Sequence, residues 1–423
     1  DLSPKAQYFE VKKVYQNVGV KAVDMKQGKV EIFNKNYFEP LSDYDIVWSL
    51  WKDGTRVGEI QAVPGNPSGL KARGRMEVTL PYDYASLDAD GEYFVKVQFF
   101  QKKDMPWAQR GYIQMEEQLP VKAADVKAPA LAEASAGKDA LKCDQTDQAV
   151  TVEGDGFKVV FDNATGAIDQ LVYGNESVLK KGHGPQLDAF RAPTDNDDGA
   201  GFVGDWFRYG LYDLGHKALS REVKQLKNGA VQLVFTVESQ GKEGCRQVYG
   251  NGNRDPESAY RFDKDTKKLG ADDFKFTTTQ VYTVWPDGSV ELHSAISANR
   301  ASVVLPRLGY VMELPASFDT FDYYGRGPVN NYADRKTGQF IEHHRGKVGE
   351  QDIMLPKPQS MGNREEVRWC ALTNQAGRGV LFVADGEMCA SALPWTQQQL
   401  AQAAHPHSLP KSQSTVLHLD AKV

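Results

Sequence analysis

Along most of this chain apolar and polar residues alternate with period two, in short runs broken by turn signals about 8 to 12 residues apart, the pattern of antiparallel β-sandwiches. Successive side chains of a strand point to opposite faces, so Tyr93, Val95, Val97 and Phe99 share one face while Lys96 and Gln98 take the other. Asp53-Gly54 follows Ile46-Val47-Trp48-Ser49-Leu50-Trp51, and Asp287-Gly288 lies between Val281-Tyr282-Thr283-Val284 and Val290-Glu291-Leu292, so both dipeptides predict hairpin turns. About seven strands fit in residues 8–122, which predicts a small immunoglobulin-like sandwich. Residues 123–140, rich in Ala, Lys, Gly and Pro, read as a linker. From Val150 strands resume nearly to the end, a length that suits one large double-sheet sandwich. The expected organisation is all-β: residues 1–122, a linker over 123–144, and a large antiparallel sandwich over 145–423, the two sandwiches packing independently. Helical interruptions are expected around residues 205–214 and 396–404, and a surface excursion over 240–273.

Composition narrows the function classes. At 41% hydrophobic and 25% charged residues the 423-residue chain is globular and long enough for two or three cores, and it has no run of about 18 apolar residues to span a bilayer. Its net charge of −6 offers no basic field for nucleic acid. Cys143, Cys245, Cys370 and Cys389 have neither metal-ligand spacing nor the density of a disulfide scaffold, so they read as buried or free thiols. The opening Asp1-Leu2-Ser3-Pro4 lacks the order of a signal peptide and does not look like a natural N-terminus, which leaves the compartment open.

Candidate chemistry concentrates in Phe190-Arg191-Ala192-Pro193-Thr194-Asp195-Asn196-Asp197-Asp198-Gly199. Pro193 predicts a loop, and Arg191, Asp195, Asn196 and Asp197 suit either a self-satisfied turn or the rim of a site that grips hydroxyl groups. Arg191 is expected to act first as scaffold, in a bidentate pair with an Asp of its own loop. Trp206 stands where an EF-hand would need its final Glu, so that reading fails; a cation on Asp195 and Asp197 is a minor alternative. Glu116-Glu117 and Glu365-Glu366 read as solvated charges, because strand neighbours diverge, and neither makes a convincing pair for a glycosidase, which needs two carboxyls about 5 Å apart. Gly325-x-Gly327-Pro328 reads as a turn, not a dinucleotide loop. His343-His344 and His405-x-His407 lack further zinc ligands and read as surface histidines. Trp206, Phe207, Tyr209 and Tyr212 are either core or, less favoured, a sugar-stacking platform.

The Arg191 segment is similar to the Arg-Ala-Pro-x-Asp-Asn-Asp stretch in the last domain of the family 2 glycoside hydrolases, the β-galactosidases. Tyr324-Gly325-Arg326-Gly327-Pro328-Val329-Asn330-Asn331-Tyr332-Ala333-Asp334-Arg335 and Pro358-Gln359-Ser360-Met361-Gly362-Asn363-Arg364-Glu365-Glu366-Val367-Arg368-Trp369 resemble two further motifs of that domain, in the same order. Asn330 departs from a commonly acidic position, and Ser360-Met361 replace a frequent Glu-Asn. The resemblance implies the family's fourth, immunoglobulin-like domain and its fifth, a large galactose-mutarotase-like sandwich. Residues 415–423 look like the strand before a Gly-rich, Ser-Trp-containing loop, which the chain stops short of.

In the family the two catalytic glutamates and the magnesium ligands lie in domains that would precede Asp1. The implied reading is therefore a bacterial, C-terminal part of a β-galactosidase, itself inert and without cofactor, whose parent binds magnesium and sodium. It would be cytoplasmic or periplasmic, would partner the missing N-terminal domains, would meet the β-galactoside only through the parent, and would be a homo-oligomer as full length. The resemblance places Gly174 at the start of a mobile loop beside the active site, and Gly174, Arg191, Asp195, Asn196 and Asp197 on the pocket rim. A non-catalytic carbohydrate-binding module is the alternative. Fold type alone also admits an aldose mutarotase.

Overall fold

The computed structural model describes residues 4–124, 141–246 and 259–423. After a first helix, α1 (Ala6–Val14), seven antiparallel strands form a sandwich. One sheet orders Val18–Asp24, Lys29–Asn34 and Arg75–Thr79; the other orders Thr55–Ala62, Tyr44–Lys52, Tyr93–Gln101 and Ile113–Lys122. Tyr93, Val95, Val97 and Phe99 face inward with Val30, Ile32, Trp48 and Val78, as the alternation predicts. Burying each such side chain contributes about 1.5–3 kcal/mol. Asp53-Gly54 closes the hairpin with both residues at positive φ, 47° and 79°.

Of the segment read as a linker, residues 125–140 lie outside the described residues, and Lys142–Gln145 is already a strand. It edges a five-stranded sheet whose order runs from Glu176–Ser177 through Ile168–Tyr173, Phe157–Asp162 and Ala149–Gly154 to Lys142–Gln145. With a four-stranded sheet (Leu214–Gln225, Val231–Gly241, Lys275–Val284, Val290–Ala298) it covers one face of a seven-stranded sheet. That sheet orders Gln186–Asp188, Leu308–Pro315, Ser414–Lys422, Gly379–Leu393, Arg364–Thr373, Thr320–Gly327 and Phe340–Lys347. All pairings are antiparallel, and one core cluster draws on all three sheets. The fold is all-β: an immunoglobulin-like sandwich followed by a large double-sheet sandwich.

Each sandwich has its own core, and the two are also docked on one another. The outer face of Tyr93–Gln101 is buried as well, against the outer face of the seven-stranded sheet. Phe94, Tyr324 and Ile341 form a small apolar cluster there, flanked by Trp51 and Trp369. Gln118 exchanges two hydrogen bonds of 2.9 Å with the backbone of Ile341, and Lys96 pairs with Glu342. Arg368 donates from Nε and Nη2 to the two oxygens of Glu92, at 3.1 and 2.8 Å, and the Tyr324 hydroxyl bonds the same carboxylate. Gly54 is required twice over: it takes positive φ, and a Cβ there would lie 2.5 Å from the His343 nitrogen.

A second core cluster, built of aromatics and short helices, packs beside the first in the large sandwich. Trp206, Phe207 and Tyr212 are buried with Phe190 and Leu400, and Trp206 Nε1 donates to Val304 O at 2.7 Å. They are core, with Tyr209 packed half-buried against them, and do not form a sugar-stacking platform. The helix carrying Trp206 is shorter than expected, α3 (Val203–Arg208), between α2 (Asp195–Gly199) and α4 (Gln397–Gln402). Within the expected surface excursion, residues 247–258 lie outside the described residues, but Tyr260 is buried and Phe262 stacks on Tyr212 at 4.3 Å. These two rings anchor the excursion to the core, while most of residues 261–273 stay exposed, as expected.

Candidate functional site

The Arg191 segment is a loop only to Thr194. Asp195–Gly199 turns as the short helix α2, because Thr194 caps it: Thr194 Oγ1 accepts from Asp197 N at 3.3 Å, and Asp197 Oδ2 accepts from Thr194 N at 2.9 Å. Pro193 precedes the cap, where it obstructs nothing. Arg191 pairs with Asp197, through one contact of 2.7 Å from Nη2 to Oδ1 and not through a fork, since the Thr194 backbone and hydroxyl occupy Oδ2. Asp195 is exposed, near Lys357, whose amine burial pushes down to about 8 against the pull of Asp195. Asp195 and Asp197 thus diverge, and among the described residues no group of three or more His, Cys, Asp or Glu is arranged to hold a metal ion.

Arg191, Asn196 and Asp197 line a depression of about 730 Å³, together with Asn330, Tyr332, Arg335, Asp352, Gln359, Ser360 and the start of α1. All three sequence motifs meet here. Ser360 N donates to Ala192 O at 3.0 Å, which ties the third motif to the first. Asn331 and Asn363 join the second to the third: Asn363 Nδ2 donates to Asn331 O at 2.8 Å, and Asn331 Oδ1 accepts from Glu365 N at 2.9 Å. Asp195 and Gly174 are not among the lining residues. Gly174 stands at φ 60° in the turn between Ile168–Tyr173 and Glu176–Ser177, donating to Gly156 O at 2.6 Å, beside the Asp287-Gly288 turn that Tyr173 reaches.

The floor of the depression is a buried polar network that the sequence reading missed. Asp352 Oδ1 accepts from Asn330 N and Nδ2 at 2.9 and 2.8 Å, and Asp352 Oδ2 accepts from the buried Arg364 at 3.0 Å. Arg335 donates to Asn330 O and Oδ1 at 3.0 and 2.9 Å. An amide at position 330 therefore both donates to Asp352 and accepts from Arg335, which a carboxylate could not do. Among the lining residues Arg191 Nε, Tyr332 OH and Gln351 Nε2 have no hydrogen-bond partner among the described residues.

Other candidates change character. Glu365 and Glu366 are not solvated: Glu366 takes φ 53° at a bulge, alternation fails, and both carboxylates reach Lys336 at 3.4 and 2.9 Å. Glu366 also pairs with Arg326 at 2.9 Å. Glu117 pairs with Lys13 of α1 at 2.7 Å, and Glu116 accepts from Gln98 at 2.9 Å. Gly325 and Gly327 end a strand and do not form a turn; a Cβ at Gly327 would meet the Tyr323 hydroxyl at 2.2 Å. His344 is no surface histidine, and burial pushes it down to about 4. His343, His405 and His407 are exposed. The four cysteines are free, three of them buried.

Because Arg191 makes one contact, Arg191→Lys should keep most of it, whereas Arg191→Ala leaves buried Asp197 short of a charged donor at a cost of about 1–3 kcal/mol. Urea titration of both variants checks this; equal losses would restore the bidentate reading.

The chain matches the family described as Beta galactosidase small chain over residues 153–423, and Beta-galactosidase, domain 4, over residues 30–122. It belongs to the β-galactosidase small-chain family. The β-galactosidase of Priestia megaterium (strain DSM 319 / IMG 1521) is 30% identical over 99% of this chain and 36% of its own length. That of Halalkalibacterium halodurans is 28% identical over 100% and 38%, and that of Lactobacillus delbrueckii subsp. bulgaricus 27% over 100% and 37%. The chain thus spans well under half the length of these curated relatives. A galactose 1-epimerase structure from Lactobacillus acidophilus NCFM matches 67% of the chain and 91% of its own at TM-score 0.26 and 10% identity, too distant to carry an argument.

Proposed function

We propose that this chain serves as the C-terminal part of a β-galactosidase that hydrolyses terminal β-D-galactose residues with retention, bracing the catalytic portion and shaping one side of its substrate pocket. The observation that carries this reading is the alignment of essentially the whole chain with β-galactosidases more than twice as long.

Helix α1 supports it physically. Its lysines point inward, Lys12 to Ile113 O and Lys13 to Glu117, while Tyr8, Val11 and Val14 are left 47%, 54% and 66% exposed. A helix with its charges tucked in and its apolar residues turned out is suited to being covered by further protein. The catalytic portion is the partner this reading assigns, with Arg191, Asn196 and Asp197 on the side of the depression that faces the substrate pocket. Galactoside, magnesium and sodium would be bound by that portion; among the described residues, carboxylate pairs such as Glu365 and Glu366 at Lys336, Glu116 and Glu342 at Lys96, and Glu92 and Glu387 at Arg368 already face a cation of this chain.

The test is release of product from an aryl β-galactoside by this chain alone, by the catalytic portion alone, and by the two mixed. Activity only in the mixture is expected. Turnover by this chain alone that disappears on mutating a single one of its glutamates would refute the reading.

A further inference from the structure

On the outer face of the seven-stranded sheet, four ionisable side chains are buried together away from the depression's own network. Arg307, His418 and Asp420 are 3%, 2% and 1% exposed, and Asp188 is 9%. Arg307 Nη2 lies 3.0 Å from Asp420 Oδ2, and Nη1 lies 3.0 Å from His418 Nδ1 and 3.8 Å from Asp188 Oδ2. Gly309 stands between the two carboxylates in the ladder, paired with Asp188 on one side and Asp420 on the other. A Cβ there would lie 2.4 Å from Asp420 Oδ1, so only glycine lets this carboxyl settle across the strand.

Two carboxylates face one guanidinium, so with the buried His418 neutral and both carboxylates ionised the cluster would carry a surplus negative charge in a place that excludes water. Neither oxygen of Asp420 receives an aligned hydrogen bond, despite the nearby Arg307, whereas Asp188 Oδ1 accepts from Phe190 N at 3.2 Å and only its Oδ2, 3.1 Å from His418 Nδ1, lacks one. Asp420 is therefore the worse-stabilised anion. We propose that Asp188, Arg307, His418 and Asp420 form a buried proton-binding site in which Asp420 holds the proton. Asp420 lies three residues before Val423, and Arg307 follows Pro306; Val423 and Pro306 both line the depression. Release of the proton leaves a buried charge beneath that rim and loosens it.

The titration directions agree with this charge count. Burial pushes the Asp420 carboxyl up to about 7 and the His418 imidazole down to about 4. Burial also raises Asp188, but the neighbouring His418, 3.1 Å away, and the charge of Arg307 outweigh this and hold it below the usual range. The other titratable groups that act on the cluster are Cys389 on the neighbouring strand, which feels Asp420, and His216 from the four-stranded sheet, which feels Asp188 and is itself near Lys242 and Asp213.

A proton held by folded Asp420 and absent from unfolded Asp420 stabilises the fold at low pH, and that contribution is lost as pH rises toward about 7. His418, kept neutral by burial, contributes in the opposite sense, losing stability as pH falls below the usual imidazole range. The two oppose each other in the wild-type chain, so the informative quantity is a difference. The ratio of wild-type to Asp420→Asn folding constants, from urea titrations, is expected to fall about tenfold per pH unit from about pH 5 to about pH 7 and then level off. A ratio constant over that range overturns the proposal. Should the variant not fold, infrared spectroscopy of the ¹³C-aspartate-labelled wild-type chain decides: a protonated carboxyl band at mildly acidic pH that vanishes above neutrality is expected. Its absence at mildly acidic pH overturns the proposal, as does an NMR imidazolium signal from His418 there.

Discussion

Arg368→Ala is expected to destabilise the chain by about 3–5 kcal/mol, among the largest effects of any single surface-to-seam change. Arg368 and Glu92 are each 7% exposed, and the guanidinium spans both oxygens of the carboxylate across the seam between the sandwiches. Its removal leaves Glu92 buried with the Tyr324 hydroxyl as its remaining seam donor. An ordinary exposed ion pair would lose about 0–1 kcal/mol instead. The double variant Glu92→Gln, Arg368→Met should recover much of the loss, because replacing both partners removes the uncompensated charge. Urea unfolding of the single and double variants measures this. A single-variant loss below about 1 kcal/mol would mean that water reaches Glu92 and that the seam is not the closed interface its geometry indicates.

The seam was legible in the sequence only by half. Alternation placed Lys96 and Gln98 on the face opposite Tyr93, Val95, Val97 and Phe99, and that is where they are. What lies against that face is set by Glu342 and Ile341, more than 200 residues away, and periodicity within one strand carries no such information. Local turn and cap chemistry was readable because it is decided by near neighbours. Asp53-Gly54 forms its hairpin, and the helix expected near residues 396–404 is α4, with Thr396 and Gln399 as its capping box. The same local signal, Thr194 followed by Asp197, starts α2 directly after Pro193, so a proline just before the cap does not bar a helix.

The site shows the same division. A pair between Arg191 and an Asp of its own loop was expected, and Asp197 is that residue; the number of contacts was not, since Thr194 competes for the second oxygen. Asp352 carries no motif of its own and meets Asn330 and Arg364 only through the fold of the seven-stranded sheet. Glu365 and Glu366 could not be read correctly from alternation, because a bulge turns neighbouring side chains toward one lysine.

Asp352→Ala is the second change expected to cost about 3–5 kcal/mol, and it acts on the floor of the depression. Arg364 is 1% exposed; it donates from Nε to the Tyr323 hydroxyl at 2.9 Å and from Nη1 to Asn363 O at 3.2 Å, both neutral acceptors. The negative charge that faces it is Asp352. Although burial works against the charged form, Asp352 and then Tyr323 hold the Arg364 pKa above its ordinary value. Alanine at 352 would leave that guanidinium uncompensated and also release Asn330, which loses the acceptor for both its N and Nδ2 donors. The consequence should be local as well as global: the turn carrying Asn330 and Arg335 loosens, so limited proteolysis of the variant should cut within residues 328–336 before the sandwiches unfold. Adding Arg364→Met should restore part of the stability by removing the stranded charge, but not the order of that turn, which depends on the carboxylate. If the double variant recovered both, Asp352 would serve only to neutralise Arg364, and the turn would owe its shape to Arg335 and Asn331 alone.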